Sequence, residues 1–332
     1  MKILSGDIGG THARLALCAV ENNAVRRDIQ EIYDSRRYDS LADIAREFIA
    51  DNHVEVHTAC FGVPGPVQGR RARVTNLPWE VDADELERNL GIHSIHLLND
   101  LEATAHGLAT LSEADFHELR PGASGAVGNA GLLAAGRGLG EAGLFWDGRR
   151  HRPFACEGGH VDFAPSNDDE AELLQFLRAK HGAHVSWERV VSGPGIVGLY
   201  EFLRDKDPAA ESKAMAEAIV SGDAGEEISK AALRGDDALA LRAVKWFLGL
   251  YGAEAGNLAL KVLATGGIYL GGGIAPKLAR LIPESDFVDR FQAKGRMQGL
   301  LERIGLSIVM NDRAALQGAA HYGSRRARGD QG

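Results

Sequence analysis

Lysine and arginine are in the minority in this chain, 37 against 46 aspartates and glutamates in 332 residues, for a formal charge of -9 at pH 7. Phosphate backbones are held mainly by such cations, which argues against nucleic acid as the main partner. Cysteine is scarce as well. Cys18, Cys60 and Cys156 are odd in number and scattered through apolar stretches, a pattern of reduced, buried thiols and not of a disulfide framework. No apolar run approaches the length of a membrane span, and residues 1–5 lead straight into Gly6-Asp7 with no signal-peptide core, so the expected location is the cytoplasm, with no membrane partner. Gly-Lys-Ser and Gly-Lys-Thr occur nowhere, which excludes a Walker P-loop. What the chain has instead is a hydrophobic content of 45% and 41 glycines over a length that is long for one compact unit, so two domains are expected.

Apolar runs at residues 2–5, 13–20 and 24–33 predict three consecutive strands, the first two joined by a glycine turn at residues 6–11. That order is a meander and not a strand feeding a helix. Leu41, Ile44, Ala45, Phe48 and Ile49 then fall on one helical face behind an Asp39-Ser40 cap. A strand is expected at 56–61 and another at 94–98, ending on Asn99-Asp100 with a helix directly behind it. The Gly, Ala and Pro content of residues 120–130 marks the expected linker between the two halves. Beyond it a strand from residue 132 enters a second glycine turn, residues 136–140, and a strand at 142–146 leaves it. Past residue 165 helical patterns dominate, the longest at 237–263. Two similar glycine turns hint at a duplicated nucleotide-clasping unit.

Several short motifs have the residue types that chemistry needs. In Gly6-Asp7-Ile8-Gly9-Gly10-Thr11, glycines let backbone N–H groups approach phosphate oxygens, Thr11 adds a hydroxyl, and Asp7 can hold magnesium through water. A plain hairpin turn explains the glycines equally well. Gly136-Arg137-Gly138-Leu139-Gly140 superficially matches a dinucleotide fingerprint, but a strand follows it where that motif requires a helix. Asn99-Asp100 offers an amide for a hydroxyl and a carboxylate to accept its proton, although on this pair alone a helix cap is the better reading. Glu157-Gly158-Gly159-His160 sets two long polar side chains around glycines, suited to gripping neighbouring ring hydroxyls. A metal site from Cys156, Glu157 and His160 lacks a matching ligand cluster. Glu188 precedes the turn Ser192-Gly193-Pro194-Gly195, where it either faces a ligand or pairs with a nearby base. Thr265 to Pro276, with Gly271, Gly272 and Gly273, provides a backbone against which a flat adenine can lie, or else serves close helix-to-strand packing.

Taken in order, these segments resemble the bacterial glucokinase family, within the sugar kinase, actin and Hsp70 ATPase fold. Gly6 to Thr11 is similar to the first phosphate motif, Gly136 to Gly140 to the second, Thr265 to Pro276 to the adenosine motif and Gly62-Val63-Pro64-Gly65-Pro66 to the connecting segment. Leu98-Asn99-Asp100 and the run from Glu157 to Pro165 are the most specific matches. The resemblance implies an α/β, two-domain actin-like ATPase (ribonuclease H-like) fold with an interdomain cleft. It implies a small α/β domain from residues 1–110 plus a C-terminal helix at about 312–328, and a larger α+β domain from 111–311. The implied activity is transfer of the γ-phosphate of ATP, with Mg2+, to the 6-hydroxyl of glucose, the first step of glycolysis. Asp100 would be the general base. Asn99, Asp100, Glu157, His160 and Glu188 would bind glucose. Gly6, Asp7, Ile8, Gly9, Gly10, Thr11, Gly136, Arg137, Gly138, Gly272 and Gly273 would bind the nucleotide, and the enzyme would be a homodimer. Arg137 departs from the threonine usual in the second phosphate motif. Alternatives are a kinase of another hexose and a non-catalytic sugar-sensing regulator; against the latter, no helix-turn-helix segment precedes the first strand.

Overall fold

The computed structural model describes residues 1–332 except 22, 23, 76, 331 and 332. By packing, the chain gathers into two units. One comprises Met1–Asp115, Arg152–Ala155 and Asn311–Gly332, the other Phe116–His151 and Cys156–Met310.

In the first unit β1 (Lys2–Ile8), β2 (His12–Glu21), β3 (Ala24–Asp34), β4 (Thr58–Val63), a small three-stranded sheet of β5 (Val67–Gln68), β6 (Arg71–Arg73) and β7 (Glu80–Asp82), and β8 (Ser94–Asn99) follow in sequence. The main sheet has the order β3-β2-β1-β4-β8. β1 is antiparallel to β2 and parallel to β4, which is parallel to β8. The apolar 3.6-period face foreseen after Ser40 forms the helix Leu41–Asp51, with the Ser40 hydroxyl capping the Asp43 N–H. Both central strands are buried on two faces, hence the unbroken apolar run of β4.

The C-terminal helix Ala314–Ala327 lies against the helix Asp100–Leu108 at very short range. A Cβ at Gly318 would stand 1.8 Å from the Ala103 carbonyl oxygen, and one at Gly107 would stand 2.0 Å from that of Ala314. Only glycine permits this approach from both sides. The Ser5 hydroxyl of β1 donates to the Leu316 carbonyl at 2.5 Å, tying the same helix to the sheet.

The second unit holds β9 (Phe116–Arg120), β10 (Ala130–Ala135), β11 (Leu139–Trp146), β13 (Gly267–Gly271) and β14 (Leu306–Val309), with β12 (His151–Cys156) following β11 in the chain. Here β11, β10, β13 and β14 lie side by side, antiparallel, then parallel, then parallel. This repeats the order and sense of β2, β1, β4 and β8, so the duplication hinted at by the two glycine turns is real at the level of topology. Helices fill the rest, dominated by the largely buried Ala238–Lys261.

Three local expectations need correction. Strand β1 runs on to Ile8, so Gly6, Asp7 and Ile8 are ladder residues and only Gly9 to Thr11 turn the chain; hydrogen bonding to strands on both sides prolongs it. Likewise Leu139 and Gly140 already belong to β11. The segment after Arg120 does not join the two units but lies within the second, with the Ala123 N–H donating to the Arg303 carbonyl at 2.8 Å. Its glycines allow close approach, since Gly122 and Gly305 meet backbone to backbone.

Candidate active site

Register sets the first group of site residues. Asp7 pairs with Gly62, Gly62 with Leu98 and Val63 with Asn99, so Asp7, Asn99 and Asp100 reach the carboxyl edge of the same three parallel strands. That edge is where ligands collect in α/β sheets. Gly62 keeps it tight, because a Cβ there would come 2.9 Å from that of Ala103.

Asn99 is the N-cap foreseen as the bland alternative. Its Oδ1 accepts the Leu101 N–H at 2.9 Å and the Glu102 N–H at 3.3 Å, while Nδ2 donates to the Gly65 carbonyl at 3.1 Å. The cap leaves the amide with one further N–H for a ligand. Asp100 is the first residue of the helix, and its Oδ1 also accepts the Leu101 N–H at 2.9 Å. A carboxylate there sits among N–H groups at the positive end of a helix.

Asp7 faces Arg14 across the β1–β2 pair, Oδ2 to Nη1 4.0 Å, and Arg14 also donates to the Asp312 carbonyl at 2.9 Å. Burial raises the Asp7 pKa; the Arg14 charge opposes this and that of Asp312 adds to it. Among the described residues no cluster of three or more His, Cys, Asp or Glu could cage a metal. A single carboxylate beside a glycine turn does fit magnesium held chiefly by waters and phosphate oxygens. The turn itself is braced by Ser35, whose hydroxyl donates to the Gly9 carbonyl at 2.8 Å and whose N–H donates to that of Thr11 at 2.9 Å. Gly6 serves packing: a Cβ there would meet the Phe61 ring at 2.5 Å. Ile8 is core, so only its backbone is offered to a ligand.

The second group gathers around Leu139. Its N–H donates to Glu188 Oε2 at 3.0 Å, and its carbonyl oxygen lies 2.0 Å from where a Gly159 Cβ would be. Glu188 therefore buttresses the second glycine turn, a role that no local pattern announced. Arg137 is exposed on that turn, and the Gly136 carbonyl accepts the Gly193 N–H at 2.8 Å. Gly272, at φ +77°, lies against the Ala135 carbonyl, where a Cβ would be 2.4 Å away, which brings the second glycine cluster of the 265–276 segment to the same turn. At Gly136 and Gly273 a Cβ would meet nothing within 4 Å, so their backbones are open to approach.

Glu157 and His160 flank the single 3-10 turn Gly158–His160, with Oε2 and Nε2 3.9 Å apart and both side chains 57% exposed. An acceptor and a ring nitrogen therefore stand side by side, both open to approach. Gly159→Ala is expected to push this turn off β11, destabilising the protein by about 1–3 kcal/mol as overpacking does. Urea unfolding of the purified variant measures it.

The same chain matches the glucokinase family profile over residues 4–326. It is 40% identical to the glucokinase of Trichormus variabilis across 97% of this chain and 99% of that one. It is 34% identical to the glucokinase of Yersinia pestis (strain Pestoides F), across 96% and 95%. Among solved structures, a glucokinase from an Antarctic psychrotroph superposes with a TM-score of 0.83 at 30% identity, covering 98% of this chain and 99% of that one. A Balamuthia mandrillaris glucokinase in complex with glucose gives 0.79 at 25% identity, covering 97% and 93%. The architecture is that of the actin-like ATPase fold of these sugar kinases.

Proposed function

The chain belongs to the glucokinase family of ATP-dependent, hexokinase-type phosphotransferases, and from that premise we propose how its own residues move the γ-phosphate of ATP to the 6-hydroxyl of glucose. The observation that carries the reading is the register placing Asp7, Asn99 and Asp100 at one strand edge. Asp100 takes the proton of the 6-hydroxyl as its oxygen attacks the γ-phosphorus. The bond from that phosphorus to the bridging oxygen breaks, and ADP leaves with the electron pair. Little else is asked of side chains in phosphoryl transfer beyond positioning and charge stabilisation. The spare N–H of Asn99 and the side chains of Glu157 and His160 orient the sugar. Glu188 contributes to sugar binding through the oxygen not taken by Leu139.

For the nucleotide, the turn Gly9 to Thr11 with Asp7, and the turn Gly136 to Gly138, offer N–H groups to phosphate oxygens, and Gly272 and Gly273 flank the adenosine. Bound magnesium would neutralise charge developing on the phosphates, with Asp7 holding it through water. Arg137 adds a charge-assisted contact to a phosphate oxygen. Its replacement by Ala is expected to raise the ATP KM roughly tenfold, as the loss of a charged hydrogen bond does, with the glucose KM unmoved in a coupled ADP-release assay. The two packed units serve as the two domains of the working enzyme, which is a cytoplasmic homodimer. No helix among the described residues is long and apolar enough to cross a membrane.

The test of the sugar site is Glu157→Ala. Removal of a charged hydroxyl-binding group should raise the glucose KM by about ten- to a hundredfold while the ATP KM changes little. Equal damage to both would contradict the assignment.

A further inference from the structure

Directly beneath the sugar-binding turn lies an acid that the reaction does not use. Glu141, in β11, is 1% exposed, and among the described residues none donates to either of its side-chain oxygens. A Cβ at Gly158 would stand 1.9 Å from its Oε2 and 2.5 Å from its Cδ. The backbone between Glu157 and His160 therefore rests on this carboxyl group. Facing it is Glu254, fully buried in the helix Ala238–Lys261. Glu254 has its oxygens occupied, Oε1 by Lys261 Nζ at 2.9 Å and Oε2 by Asn257 Nδ2 at 2.7 Å.

Lys261, its side chain 45% exposed, and the charge of Lys294 both act on Glu254, but no donor among the described residues reaches Glu141, and a buried carboxylate left without one is a charge the interior does not tolerate. A single proton resolves it. If Glu141 is the protonated partner, it donates to Glu254, and both acids are satisfied. Burial, with the Glu254 charge second, raises Glu141 to about 8 against the opposing pull of Lys261. The other titratable groups nearby are Tyr251 on the same helix, Cys156 and Glu157 on the segment leading into Gly158, and Lys294, whose Nζ donates to Asn257 Oδ1 at 2.7 Å.

We propose that Glu141 is a positioning residue for sugar binding: as a carboxylic acid hydrogen-bonded to Glu254, it forms the floor that sets the Glu157–His160 turn. The proposal rests on the reading that this turn grips the sugar. When the proton leaves, two carboxylates confront one another, and Glu141 is driven toward Gly158, which has no side chain to absorb the shift. Glucose affinity then falls while the ATP site stays as it was. Stability follows the same proton. An ordinary glutamate releases it near 4.5 and the folded one holds it to about 8, so the folded state loses stability as pH rises through that window.

Glucose and ATP KM values measured from pH 6.5 to 9 on the wild type, Glu141→Gln and Glu157→Ala test this. In the wild type the glucose KM should rise several-fold through pH 8, with no matching rise for ATP. Glu141→Gln keeps a donor toward Glu254 at every pH, so its glucose KM should stay near the wild-type value at pH 7 across the range. An infrared difference spectrum, wild type minus Glu141→Gln at pH 6.5, should show the carbonyl band of a protonated carboxyl group. The proposal is overturned if that band is absent or if Glu141→Gln follows the wild-type pH curve. It is also overturned if the wild-type glucose and ATP KM values rise together. Any of these, with the glucose KM still raised in Glu157→Ala, sinks the role of Glu141 alone. An unmoved glucose KM in Glu157→Ala takes the sugar-site reading down with it.

Discussion

Asp100→Asn is expected to bind glucose as the wild type does and to lower kcat by about two to four orders of magnitude, the usual cost of a lost general base. The substitution is nearly isosteric. Its amide oxygen can still accept the Leu101 N–H that Asp100 Oδ1 accepts at 2.9 Å, so the helix start should persist. What disappears is the capacity to take the proton of the 6-hydroxyl. A glucose titration followed by intrinsic fluorescence, together with kcat from ADP release, separates binding from chemistry. Near-normal turnover would remove Asp100 from the mechanism, and loss of glucose binding with an intact fold would recast it as a binding residue.

Gly318→Ala is expected to be the most damaging small substitution in the first unit. The new methyl group would stand 1.8 Å from the Ala103 carbonyl oxygen and 2.4 Å from the Gly107 nitrogen, both of them backbone atoms that cannot swing aside. One helix must move off the other, at a cost of about 3 kcal/mol, the upper end of ordinary overpacking. The helix that must shift begins at Asp100, so kcat should fall along with stability. Gly299→Ala is the control. A Cβ there meets nothing within 4 Å, and in the short helix Gln298–Leu301 the change should be neutral or stabilise by about 0.5 kcal/mol. Urea midpoints of the two variants measure the contrast, and equal midpoints would show that the helix contact is not tight.

Much of the candidate site was legible because its signals are local. The glycine turns, Asn99-Asp100 and the Glu157 to His160 run each hold their candidate residues within a few positions, and the strand meander before Leu41 follows from apolar runs and turn chemistry. What the sequence concealed is long-range. Glu188 reaches the turn at Leu139, 49 positions away, and nothing around it signals that contact. Gly158 and Gly159 read as room for a ligand; the structure shows that their missing side chains also admit Glu141 and Leu139. Glu141 itself left one trace, a lone acid in the apolar run of β11, but its meaning depends on Glu254, far along the chain. The expectation of a linker at residues 120–130 failed for a similar reason. The composition of residues 120–130 suggests a linker, while their packing against Arg303 and Gly305 is invisible from composition.

The most direct measurement is the product formed by the purified protein with magnesium-ATP and a panel of hexoses, with ADP release quantified and each sugar phosphate identified. Glucose should give the highest kcat/KM and yield glucose 6-phosphate. Preference for another hexose would keep the fold and the residue roles and overturn the substrate; glucose binding without turnover of any sugar would contradict the account at its centre.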